Sequence, residues 1–239
     1  MEVHHHPHTE RKKFKEYFLE FLMIFLAVTL GFIAENFREH QVEKARAKQY
    51  IFSFYKDLND DTTELSLDIA QYTSTISALK QKDSCYQQFK KNHNCNVCLL
   101  NLFGSSMGFK DLVNADETLL QLKNAGGLRL LDKDDADSIL KYDKTIRIYK
   151  TIETTGLQTT QNEIRTVVYS LINHEAEQMG TADKNIPALY SVNKELVNTY
   201  FNLLDEIYGY NYQMSKRLIL LKQNAVWLIE YFKKKYNFN

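Results

Sequence analysis

IFSFYKDLNDDTTELSLDIAQYTSTISAL, residues 51–79, decides the fold. Its spacing alternates fours and threes through Ile51, Tyr55, Leu58, Thr62, Leu65, Ile69, Tyr72, Ile76 and Leu79, and only Thr62 is polar. Such a stripe is the seam of a long helix packed along one side. No glycine or proline lies between Gly31 and Gly104, so nothing in the composition stops that helix in either direction. The spacing predicts one rod running to about residue 90. The whole chain has 8 Gly and 2 Pro in 239 residues, too few turn formers for short-stranded sandwiches, barrels or glycine-rich nucleotide loops. Thirty basic residues balance thirty acids, which argues against a dedicated nucleic-acid binder.

Upstream of the seam, Phe21 to Ala34 (FLMIFLAVTLGFIA) runs fourteen residues without a charge. Extended back to Tyr17, the run holds one acid, Glu20. A spanning helix needs about 17–25 apolar residues, so 17–36 is short but sufficient, with Glu20 and Glu35 at its two boundaries. Every side of it is apolar, unlike a core helix with one polar face. No small-residue cleavage signal follows, so a removed signal peptide is not expected. Ala27, Gly31 and Ala34 form a small-residue patch of the kind that lets spanning helices approach closely. Arg11, Lys12, Lys13 and Lys15 precede the span, and Arg38, Lys44, Arg46 and Lys48 follow it. The count is even; the denser leading cluster favours residues 1–16 as a short cytoplasmic tail.

Downstream, a break is expected near residues 85–108. A short helix at 116–124 follows, stopped by Gly126-Gly127. A second long helix is expected over 132–177, its first turns loaded with Asp132, Asp134, Asp135 and Asp137, with a kink at Gly156. A loop near 180–187 leads to a last long helix with the stripe Leu196, Tyr200, Leu203, Ile207, Tyr210, Met214, Leu218, Leu221, Ala225, Leu228 and Phe232. Residues 132–178 are net −3 and 179–239 net +3, so two such helices packed antiparallel would compensate each other. The expected fold is therefore all-α: a single N-terminal transmembrane helix continuing into a long helix, with an extramembrane antiparallel helical bundle over 37–239.

Three groups are candidates for chemistry. His4, His5, His6 and His8 cluster in MEVHHHPH, where imidazoles would suit zinc, copper or nickel. Cys85, Cys95 and Cys98 lie with His93 in CYQQFKKNHNCNVC. In an oxidising compartment, a disulfide from Cys85 to Cys95 or Cys98 is expected. A thiolate–imidazole metal site and free thiols are the alternatives. His174-Glu175 with Glu177 lacks the second histidine of a zinc-protease helix and reads as a solvated helix end. The basic stretch from Met214 onward carries six Lys/Arg and one Glu, and its unbroken seam marks it as a core helix rather than a membrane-surface one.

The opening MEVHHHPH, the span EFLMIFLAVTLGFIAENFREH, and the stretches KQYIFSFYKDLNDD and LLQLKNAGGLRLL resemble a group of single-pass membrane proteins of the Bacteroidota. The likeness is strongest over residues 1–65. It implies an inner-membrane location with a periplasmic helical domain, and no activity can be carried over from it.

The function expected from these features is non-enzymatic and without a cofactor: an accessory or scaffold subunit of a bacterial envelope complex. Its partners would be membrane lipid, further copies of itself and another membrane protein, with no nucleic acid and no small-molecule substrate identified. Two alternatives stand beside it. Several spans could ring an ion-conducting pore with Glu20 and Glu35, or a periplasmic bundle could sense a ligand and signal through a separate partner.

Overall fold

A computed structural model describes residues 13–92, 96–108, 112, 114, 116–179, 186–190 and 192–238. Nearly all of these are helical, and no strand occurs among them. The helices are α1 (Phe14–Leu79), α2 (Lys82–Asn92), α3 (Asn96–Met107), α4 (Glu117–Asn124), α5 (Lys133–Ile152), α6 (Gln158–Leu171), α7 (His174–Met179) and α8 (Lys194–Tyr236). A 3-10 turn at Gly127–Leu130 follows α4, and a π-helical turn at Glu153–Leu157 joins α5 to α6.

The chain divides into two compact units, Met1–Gln49 and Tyr50–Asn239. Residues 37–49 thus group with the N-terminal unit. In that unit the described chain is the first part of α1, and none of its apolar window is buried. Phe21, Ile24, Leu30 and Phe32 are each more than 60% exposed, on different sides of the helix.

The second unit has two apolar cores. One gathers Ile51, Phe54, Leu58 and Leu65 of α1 with Ile139 and Ile146 of α5 and Met214 to Phe232 of α8. The other gathers Leu79, Cys85, Phe89, Leu99 and Leu102 with Ile164 and Val168 of α6 and Val197 to Ile207 of α8. α8 therefore serves both, packing on α6 in one and on α5 in the other. Local pairs give directions. Asp61 meets Tyr142 and Tyr72 meets Tyr149, so α1 and α5 run the same way. Asp135 meets Lys235 and Gly156 meets Tyr210, so α8 runs opposite to α5.

The seam of α1 is rotated from its sequence-based placement. Ile51, Leu58, Leu65, Tyr72 and Leu79 are buried as expected. The positions between them are Phe54, Asp61 and Asp68 rather than Tyr55, Thr62 and Ile69. Asp61 can take a core position because Tyr142 of α5 meets it with its hydroxyl. The rod also ends sooner than its composition suggests. The Gln81 amide reaches only three residues back, to Ala78, and the helix restarts at Lys82. Beyond the restart, Cys85 and Phe89 are buried.

The expected 132–177 helix is three pieces. The π-helical turn at Glu153–Leu157 takes up an extra residue where a kink at Gly156 is expected, and α6 stops at Leu171. There Ile172 bridges Leu189 in antiparallel fashion, closing the segment back onto the chain before α8. α8 begins on Asn193, whose side chain accepts from the amides of Glu195 and Leu196 at 2.9 and 3.3 Å. It ends on Lys233, Lys234 and Lys235, favourable at a helix C-terminus, with Asn237 in the left-handed region at φ 55°.

Candidate functional site

The first candidate is the apolar stretch of α1. This is the one helix among the described residues long and apolar enough to cross a membrane. Its hydroxyl at Thr29 donates back to the Phe25 carbonyl at 2.7 Å, which satisfies it without water. Ala27, Gly31 and Ala34 all lie exposed, and a Cβ added at Gly31 would meet no atom within 4 Å. Glu20 is half-buried at one end. Glu35 at the other is exposed and pairs with Arg38 through two hydrogen bonds, 2.9 and 2.5 Å.

The second is the cysteine region. Cys85 in α2 and Cys98 in α3 are joined by a disulfide across 13 residues, with their Cα atoms 5.7 Å apart. Cys85 is buried among Phe89, Leu99 and Leu102, so the bond staples two short helices within the second core. Cys95 and His93 lie outside the described residues, as do His4, His5, His6 and His8. Among the described residues no group of three or more His, Cys, Asp or Glu converges to hold a metal. His174 stands exposed at the start of α7, 3.9 Å from Glu177 and beside Gln178.

The third is a set of buried polar groups, in which the tyrosines stand at positions of the sequence stripes and the acids and amides do not. Where one core gives way to the other, Asn211 of α8 donates to the Ile207 carbonyl at 2.7 Å, and Gln161 of α6 donates to the Gly108 carbonyl at 3.1 Å. Asp68, Tyr72, Gly108, Leu157 and Asn211 line a cavity of about 10 Å³ there, room for one water and not for an organic ligand. Next to it the Tyr149 hydroxyl donates to that of Tyr72 at 3.0 Å, and further along α1 Tyr142 donates to Asp61 at 3.0 Å. Burial pushes all three phenols well above their ordinary pKa, and the Asp61 charge adds to this for Tyr142. These hydroxyls stay protonated and act as donors, not as bases. Tyr200 in the other core is raised by burial alone.

A fourth cluster closes the far end of the α5–α8 pair. Asp135, fully buried, accepts from the Tyr231 hydroxyl and the Lys235 ammonium at 2.7 Å each, and also from the Tyr236 hydroxyl. Lys235 reaches Asp132 at 2.9 Å as well. Burial works against the Lys235 charge, but the bonds to Asp135 and Asp132 outweigh it and raise its pKa. A matching tie at the other end of α8 joins Asp205 to Lys82 at the head of α2, 2.6 Å apart. The signal for the tie of Asp132 and Asp135 to Lys235 was present in the sequence as the −3 and +3 segments. The specific partners were not, because charge balance carries no register.

Comparison with family models, with curated proteins and with solved structures gives no match for this chain.

Proposed function

We propose that the chain is a membrane-anchored helical subunit of a bacterial envelope complex, working through protein–protein contact rather than catalysis. The single observation that carries this is the apolar stretch of α1, exposed on every side and continuous in one helix with a folded polar unit. A water-soluble protein does not leave that much apolar surface uncovered. In this proposal residues 17–36 cross the inner membrane, residues 1–16 are cytoplasmic, and Tyr50–Asn239 form a periplasmic helical bundle. The Cys85–Cys98 disulfide supports the periplasmic placement, since such bonds persist in oxidising compartments. Internal space for a single water in the polar layer supports a structural role for the buried acids and tyrosines.

Fractionation of cells producing the full chain tests the anchor: the protein should stay with membranes through alkaline carbonate washing. Recovery in the soluble fraction would defeat the proposal. Thiol alkylation in intact cells tests the side: Cys85 and Cys98 should resist a membrane-permeant reagent until a reductant is added. Purification from native membranes in mild detergent should then bring down further membrane proteins in fixed ratio.

A further inference from the structure

The α5–α8 pair carries a cleft of about 310 Å³. Buried Tyr142 and Leu228 line it together with Ser138 and Lys141 of α5 and Asn224 and Trp227 of α8. Its size is at the low end for ligand pockets and suits a compound of one or two rings. Trp227, the chain's single tryptophan, is held in place there. Buried Asp135 accepts from the Tyr231 hydroxyl at 2.7 Å, and the indole stacks on that tyrosine ring with centroids 5.3 Å apart, 6° from parallel. One indole face is thus covered. The side chain is still 57% exposed, so the other face is open. An exposed tryptophan braced in this way marks a contact surface rather than a core.

Three polar groups stand around it. The Ser138 hydroxyl and the Asn224 carboxamide are half-buried, and the Lys141 ammonium is exposed. None of these three side chains has a hydrogen bond or ion pair among the described residues. The Tyr142 hydroxyl, by contrast, is committed to Asp61. Lys141 is the one charged residue of the lining among the described residues. Asp137 and Glu230, in the adjoining turns, are exposed and do not line it, and Asp143 is tied to Lys123 and Arg147. The cleft therefore favours an anion. A phosphate would ask for a second cation or for free backbone amides, and both walls are helix interiors whose amides are already bonded. A wholly apolar ligand would strand the hydroxyl and the carboxamide.

We infer that the α5–α8 cleft binds one acidic sugar unit, a pyranose ring carrying a carboxylate. Such a ring has an apolar C–H face, a rim of hydroxyls and one charged edge. The C–H face lies on the open side of Trp227, the hydroxyls bond Ser138 and Asn224, and the carboxylate pairs with Lys141. The cleft is open to solvent, so the sugar can be one unit of a longer glycan. The inference goes beyond the proposal of an interaction subunit and needs only the folded unit Tyr50–Asn239. With one stacking face and three solvent-exposed polar contacts the affinity is modest, a Kd on the order of 1 mM.

The test uses the full chain in a detergent without a sugar head group, with Trp227 fluorescence as the readout. N-acetylmuramic acid and glucuronic acid are titrated beside their neutral counterparts, N-acetylglucosamine and glucose. At least one acid should give a saturable change, and its neutral counterpart should bind about fivefold more weakly. Which acid binds separates a cell-wall glycan from a uronic-acid polysaccharide as the source. Lys141→Gln should bring the acid down to the neutral sugar's affinity and leave the neutral sugar unchanged. Asn224→Ala should weaken both about fivefold. Trp227→Ala, followed by saturation-transfer NMR of the sugar, should abolish both. Unchanged helical circular dichroism confirms folding of each variant. No saturable change with either acid, equal binding of acid and neutral sugar, or a preference that survives Lys141→Gln would each overturn the inference. Retention in membranes through carbonate washing does not depend on any of these outcomes, so the two ideas fail separately.

Discussion

Gly156→Ala probes the π-helical turn, where a glycine lies directly against Tyr210 of α8. A Cβ built there would lie 2.5 Å from Tyr210 Cε1, 2.9 Å from Cζ and 3.1 Å from the hydroxyl oxygen. Ordinary contact begins near 3.4 Å, so the ring must retreat by about an ångström. Tyr210 is itself packed against the α1–α5–α8 core, and forcing such a shift costs roughly 1–3 kcal/mol. Alanine returns about 0.5–1 kcal/mol of backbone entropy in helical surroundings. The net expectation is a loss of about 1–2 kcal/mol, measured by urea unfolding of the detergent-solubilised chain with Trp227 fluorescence and circular dichroism. The decisive control is Tyr210→Ala, which empties the space. In that background Gly156→Ala should cost nothing or stabilise slightly, giving a coupling of at least 1 kcal/mol between the two sites. An equal cost in both backgrounds, or a stabilised single variant, would refute the close approach.

Three further outcomes are expected. Reduction of the Cys85–Cys98 bond, or the double serine variant, should lower stability by about 2–3 kcal/mol, the loop-closure value for a cross-link of this span; an unchanged unfolding midpoint would show that the bond constrains nothing. Asp135→Asn should cost about 2–4 kcal/mol in the same assay, because a fully buried acceptor for Lys235 and two tyrosine hydroxyls loses its charge, and a loss under 0.5 kcal/mol would mean the cluster is not formed in solution. The buried phenols give a pH dependence. Their folded pKa values lie above the ordinary 10.0, so their contribution is complete below pH 10 and is lost as pH climbs past it towards the raised values. Unfolding free energy should therefore fall steeply above pH 10 and less so in Tyr142→Phe, while a profile flat to pH 12 would contradict the burial.

Helix content and the long apolar run were legible because both are periodic or compositional. Positions a heptad apart, Ile51 to Leu79, came through for the same reason. The intervening positions did not, since Tyr55 and Ile69 are better apolar candidates than Asp61 and Asp68 when judged alone. Tyr142 on α5, 81 residues away, makes Asp61 acceptable in that row. The break at Lys80–Gln81 was equally hidden, since it carries no glycine or proline. The disulfide partner was left between two cysteines because pairing depends on where α3 lies.

The hydrogen bonds from Tyr142 to Asp61 and from Tyr149 to Tyr72 also act as a ruler. The heptad positions of α1 are mostly leucine and isoleucine, and such a row can slide by seven residues with little loss of apolar contact. A slip one way sets Tyr142 on Phe54 and Tyr149 on Leu65, stranding both hydroxyls. A slip the other way gives Tyr142 a new acid in Asp68 but leaves Tyr149 on Leu79. Each displaced alignment buries at least one unsatisfied phenol, a cost of about 1–3 kcal/mol that the true alignment avoids. The polar pairs thus add little to the depth of the native state and much to its uniqueness, as a single buried polar residue does for the alignment of a coiled coil.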